Sequence, residues 1–179
     1  MSAPNSCVFL TADGVAANSP VNRGRFATTA YERLRILETC QHIAMVGLSS
    51  NPFRPSHFAA IYLLAEGYDV IGVNPREKQV LGRPCYPSLR DVPGPVEVVD
   101  IFREPSAVPA IVEEAIAVGA KVVWMQLGVI HEAAAERARQ AGLQVVMDRC
   151  MKIEHARFFG GLRTIGLNTG VISSQLRRL

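Results

Sequence analysis

The sequence predicts an α/β fold, a doubly wound parallel sheet of five strands with flanking helices, on three observations. Five short runs are rich in Val and Ile with little polar alternation, the habit of strands covered on both faces. Helical stretches separate these runs, and three of them stop at a glycine, Gly67, Gly119 or Gly142. Strand and helix alternate in this way along most of the chain, which is how a parallel sheet is wound.

A helix over 31–41 opens the domain. The first strand covers 43–47 (IAMVG) and ends on Gly47, and a helix over 58–66 follows it. The second strand, 69–73 (DVIGV), ends at Asn74-Pro75. Pro84, Pro87, Pro93, Gly94 and Pro95 then leave room for only one helical turn, around 88–92. The third strand covers 96–102 (VEVVDIF). The helix over 107–118 carries Val108, Ile111, Val112, Ala115 and Ile116 on one face. The fourth strand is 121–126 (KVVWMQ), the next helix 132–141 and the fifth strand 143–147 (LQVVM). Right-handed crossovers give these five strands the order 3-2-1-4-5, a Rossmann-like sheet with its reversal beside strand one. The domain so defined spans 31–158. Residues 1–30 read as a flexible N-terminal leader, and residues 159–179 as a Gly-rich basic tail ending Arg177-Arg178-Leu179.

Bulk properties narrow the function classes. Of 179 residues, 49% are hydrophobic and 20% charged, which is globular composition and excludes wholesale disorder. The net charge of +3 suits an anionic small molecule but is too weak to argue for nucleic acid, and 7% aromatics offer no base-stacking platform. Cys7, Cys40, Cys85 and Cys150 form no CxxC pair and no cluster with metal-ligand spacing, so no metal is expected. Free thiols in a reducing compartment follow, and the chain reads as cytoplasmic. No stretch approaches the roughly 20 apolar residues of a membrane helix, so no membrane partner is expected.

In an open α/β sheet, ligands sit beyond the carboxyl ends of the strands, where the strand order reverses. The loop after strand one runs from Gly47 to His57. Ser49, Ser50 and Asn51 can donate hydrogen bonds there, Arg54 adds a fixed positive charge, and Ser56 is placed to cap the helix. This loop lacks the three glycines of a dinucleotide fingerprint, and an ordinary βα turn has the same single glycine. The loop after strand two decides more. NAD-binding sheets carry an acid there for the ribose diol; this chain has Asn74, then Pro75, Arg76, Glu77 and Lys78. Arg76 and Lys78 would attract a ribose phosphate that a carboxylate would repel, which suits NADP and coenzyme A alike. Phe102, Arg103 and Gln126 close the crevice from the next two loops. Trp124, inside a strand, reads as core. Cys150 is a candidate nucleophile only if His57, His131 or His155 reaches it.

The motifs Gly47-Leu48-Ser49-Ser50-Asn51-Pro52, Gly72-Val73-Asn74-Pro75, Val99-Asp100-Ile101-Phe102-Arg103, Trp124-Met125-Gln126-Leu127-Gly128-Val129 and Met147-Asp148-Arg149-Cys150 occur in order. Together they resemble the stand-alone bacterial CoA-binding protein family, itself similar to the CoA-binding domain of the succinyl-CoA synthetase α subunit. The resemblance covers 43–158 and implies a lone Rossmann-like domain. It implies the diphosphate of coenzyme A at Gly47, Ser49, Asn51 and Arg54, and the adenosine end against Asn74, Pro75 and Lys78. Phe102, Arg103 and Gln126 would border the crevice.

The expected function is therefore binding of coenzyme A or an acyl-CoA, without catalytic chemistry of the chain's own. The alternative is an enzyme, either an NADP-linked oxidoreductase or an acyl-transfer enzyme using Cys150. A third class is an interaction protein whose basic tail docks onto a partner, a homodimer being the assembly to look for.

Overall fold

The computed structural model of the protein describes residues 28–160, so nearly all of the predicted leader and of the predicted tail lie outside the described residues, and Phe159, assigned to the tail, closes the last helix. Helix α1 (Ala30–Thr39) begins at a capping box, in which Thr29 Oγ1 accepts from the Glu32 N–H and the Glu32 carboxylate accepts from the Thr29 N–H. Then follow β1 (His42–Val46), α2 (Pro55–Ala65) and β2 (Asp69–Val73). A hairpin comes next, β3 (Gln79–Val80) and β4 (Arg83–Tyr86), and after it a single 3-10 turn at Leu89–Asp91. The second half is β5 (Val98–Ile101), α3 (Val108–Ala117), β6 (Val122–Met125), α4 (Glu132–Gln140), β7 (Gln144–Val146) and α5 (Met151–Phe159).

The fold class stands as expected: an α/β sheet, mostly parallel, between helices. The strand count and order differ. All five expected strands are present, but the sheet has seven, in the order β3-β4-β2-β1-β5-β6-β7. The expected order put the third long run outside strand two. That run, β5, pairs instead with β1, from Ile43 opposite Val98 to Val46 opposite Ile101. The place beside β2 is taken by β4, with Gly72 opposite Cys85. Counting β4, the six parallel strands follow the full 3-2-1-4-5-6 order of the doubly wound sheet. Pro84 conceals β4 in the sequence, yet a proline is tolerated this close to a sheet edge. Arg83 pins the hairpin to β2, through Asp69 at 2.9 Å and the Val70 carbonyl at 3.1 Å.

Each face of the sheet is a core. Val99, Ile101, Val123 and Met125 face α3 and α4, while Ile43, Met45, Val98, Val122 and Trp124 face α1, α2 and α5. Trp124 is fully buried, and its indole N–H donates to the Arg149 carbonyl at 2.7 Å. The sequence gives α5 little signal because its buried face is mixed, with Glu154, His155 and Arg157 beside Met151 and Phe158. Glu154, 1% exposed, accepts from Arg33 of α1 and from Arg157, both at 2.7 Å. Two guanidinium partners let that acid be buried at a tolerable desolvation cost.

Candidate functional site

The switch point lies between β1 and β5, and the chain crosses it with little clearance. The Gly47 N–H donates to the Val73 carbonyl at 2.8 Å, and the Phe102 N–H to the Val46 carbonyl at 2.8 Å. These bonds hold three strand ends together. Gly47 has φ +89°, and a Cβ there would stand 2.5 Å from the Phe102 carbonyl oxygen. Only glycine fits both demands.

After Gly47 the loop folds on itself. Asn51 Oδ1 accepts from the Phe53 N–H at 2.9 Å, and the His57 Nδ1–H donates to the Ser49 carbonyl at 2.8 Å. Helix α2 starts with Arg54 as N-cap and Pro55 in the first turn. Ser56, the expected cap, lies inside the helix and is buried, because the helix starts two residues earlier, at Pro55.

Over these strand ends lies a cleft of about 950 Å³. Of the residues expected at the site, Gly47, Ser49, Arg54, Asn74, Phe102, Arg103 and Gln126 line it. Arg76, Glu77, Cys150 and Lys152 line it as well. Ser50, Asn51, Pro75 and Lys78 are exposed and do not line it. Ser50 turns toward Glu77, whose carboxylate accepts both its N–H and its hydroxyl. Asn74 acts between loops: its Nδ2–H donates to the Leu48 carbonyl at 2.8 Å, and its Oδ1 accepts from the Arg76 N–H at 3.1 Å. The residue that replaces the NAD-type acid therefore braces the first loop against the second.

Beneath the β5 and β6 end is a polar group that the sequence does not advertise. Asp100 is fully buried in β5. Its Oδ1 accepts from Gln126 Nε2–H at 2.6 Å, while its Oδ2 has no partner. Burial, opposed only by the Gln126 bond, pushes its carboxyl up to about 7. Glu97, in the same expected strand run, shows the contrast, because its oxygens accept from the Gln41 and His42 N–H groups and from Lys121. An acid at the centre of a VVDI run was the available signal for Asp100.

Cys150 caps α5 at the cleft and is partly buried. Burial raises its thiol above the usual range, and the Asp100 charge adds to the rise. The histidines weighed as its base are engaged elsewhere. His57 is bonded to Ser49, His131 Nδ1 accepts from the Ala134 N–H, and His155 meets the Tyr62 hydroxyl at 3.0 Å. Among the described residues no group of His, Cys, Asp and Glu side chains is arranged to hold a metal ion, and no helix is long and apolar enough to cross a membrane.

Known proteins share this fold. The chain is 37% identical over 121 residues to YneT of Bacillus subtilis (strain 168), covering 68% of this chain and 90% of that protein. A hypothetical protein from Pyrococcus horikoshii OT3 superposes with a TM-score of 0.75 at 43% identity, over 79% of this chain and all of the other. The dinucleotide-forming acetyl-coenzyme A synthetase 1 of Ca. Korarchaeum cryptofilum, in complex with phosphate and ADP, has a TM-score of 0.57 at 27% identity. That likeness covers 64% of this chain and 27% of the synthetase. The CoA binding domain family matches residues 41–156. That span holds every strand and every loop that borders the cleft, and the chain belongs to the CoA binding domain family.

Proposed function

We propose that the cleft binds coenzyme A or an acyl-CoA, and that the chain supplies no catalytic chemistry of its own. The observation that carries this is the cleft at the β1/β5 reversal, built in a CoA binding domain and opening on the first turn of α2. An anion there meets the positive end of a helix dipole together with the Arg54 guanidinium. The diphosphate goes to Gly47, Ser49 and Arg54, with Ser50 and Asn51 as flanking donors. The adenosine end goes against Asn74 and Pro75, with Lys78 near the ribose phosphate. Phe102, Arg103 and Gln126 border the remainder. The free thiols of Cys85 and Cys150 suit a reducing compartment such as the cytoplasm.

Calorimetric titration with coenzyme A, dephospho-CoA and NADP tests the reading. Coenzyme A binds more tightly than the other two if it holds. Indifference to all three ligands ends it, and equal affinity for dephospho-CoA removes only the role given to Lys78.

A further inference from the structure

We infer that Gln126 is the hydrogen-bond acceptor for an amide N–H of the pantetheine arm, and that Asp100 is the positioning residue that turns its carbonyl oxygen toward the cleft. This rests on the reading of the cleft as a coenzyme A site and names what its far end recognises.

The direction comes from the sheet. The strands whose ends rim the cleft stand in the order β2, β1, β5, β6, each about 4.8 Å from the next. Asn74 follows β2, Gly47 follows β1, Phe102 follows β5 and Gln126 follows β6. With adenosine at the first of these and diphosphate at the second, the arm runs past Phe102 and ends over β6. The walls there suit it, because Leu127, Val129 and Ile153 offer apolar surface to its methylene groups.

The orientation comes from Asp100. A carboxylate only accepts hydrogen bonds, so the Gln126 amide must present its Nε2–H to Oδ1, 2.6 Å away. The amide oxygen is then directed away from Asp100, in a residue that lines the cleft. A proton on Oδ2, the oxygen without a partner, leaves Oδ1 an acceptor, so the orientation survives titration of the acid. Gln126 therefore offers an acceptor when the acid is ionised and when its proton sits on Oδ2. An amide N–H, a stronger donor than a thiol, is what the arm supplies.

The test compares coenzyme A and acetyl-CoA with adenosine 3′,5′-bisphosphate, which lacks the arm. Gln126→Met keeps the side-chain length and removes the acceptor. It is expected to raise the Kd for coenzyme A and acetyl-CoA about fivefold, the usual worth of one hydrogen bond, and to leave the bisphosphate unchanged. Asp100→Leu frees the amide to rotate and gives a smaller loss with the same selectivity. Asp100→Asn keeps an acceptor and restores wild-type ratios. If Asp100→Leu fails to fold, Gln126→Met alone decides the matter. Equal weakening of all three ligands, or of none, overturns the inference. A loss with coenzyme A but not with acetyl-CoA overturns the amide assignment in favour of the thiol. Failure of every ligand to bind the wild-type protein overturns the cofactor reading itself.

Discussion

The Glu77 carboxylate accepts two hydrogen bonds from Ser50, one from its N–H and one from its hydroxyl, both at 2.9 Å. These bonds hold the acid below the usual carboxylate range, so it is ionised at neutral pH. Both bonds go to one carboxylate oxygen, Oε1, so the acid accepts where a phosphate oxygen could and occupies donors beside the proposed diphosphate position. Glu77 also lines the cleft that a polyanion must enter. Glu77→Ala is therefore expected to tighten coenzyme A binding by a small factor, because an exposed charge is well screened by water. The gain should shrink as salt is raised. Calorimetry at low and high salt checks both parts, and a weaker complex would show that Glu77 organises the loop for the ligand.

Asp100 makes a stability prediction of definite sign. Burial raises its carboxyl to about 7, well above the ordinary aspartate value of about 3.9. Below the unfolded value both states hold the proton and nothing is lost. Between the two values only the folded state holds it, so stability falls as pH rises, and the loss levels off above about 7. The span corresponds to a loss on the order of 4 kcal/mol. Asp100→Asn, which never ionises, should gain on the wild type from about pH 4 to about pH 7 and level off beyond it. Urea unfolding of the two proteins across that range measures the difference, and a difference flat with pH would refute the assignment.

What the sequence revealed and concealed has a physical pattern. The runs that became β1, β2, β5, β6 and β7 were legible because strands buried on both faces must be apolar throughout. The β3–β4 hairpin was hidden because its strands have two and four residues and carry Pro84. Its turn, Leu81-Gly82, also lacks the Asn-Gly signal of a two-residue hairpin. Helix α5 was missed because Glu154, His155 and Arg157 occupy its buried face, and polar residues buried through partners on other elements leave no apolar period. The candidate loops were found from strand ends alone. Their internal partners were not, since Ser50 and Glu77 lie 27 residues apart in the chain, Asp100 and Gln126 lie 26 apart, and each pair meets only in the fold. Asn74 was noticed for the acid it replaces, whereas its bonds to Leu48 and Arg76 make it a brace between loops.

Leu81 occupies a backbone conformation that side chains disfavour. Its φ is +53°, and Gly82 beside it has φ +74°, the pair of positive angles that a type I′ turn requires. A leucine held there costs about 1–2 kcal/mol, and the residue is 37% exposed, so its packing offsets only part of that cost. Leu81→Asn supplies the favoured Asn-Gly turn and should stabilise the protein by about 1 kcal/mol. The urea midpoint should rise with the m-value unchanged. A lower midpoint would mean that Leu81 contributes more through contacts than its backbone loses.

Cys150 provides the last test, because it separates a binding cleft from a reactive one. Reaction with iodoacetamide requires the thiolate, and burial together with the Asp100 charge raises this thiol above its ordinary range. At pH 7 its alkylation should be slower than that of a free thiol in solution. The rate should climb with pH beyond the usual thiol range, because the charged form appears only there. Cys40 and Cys85 are buried, so mass-resolved labelling can follow Cys150 by its own peptide. Since Cys150 lines the cleft, saturating coenzyme A should slow the reaction further. Fast alkylation at neutral pH would instead identify an activated nucleophile, and would return the acyl-transfer reading to first place.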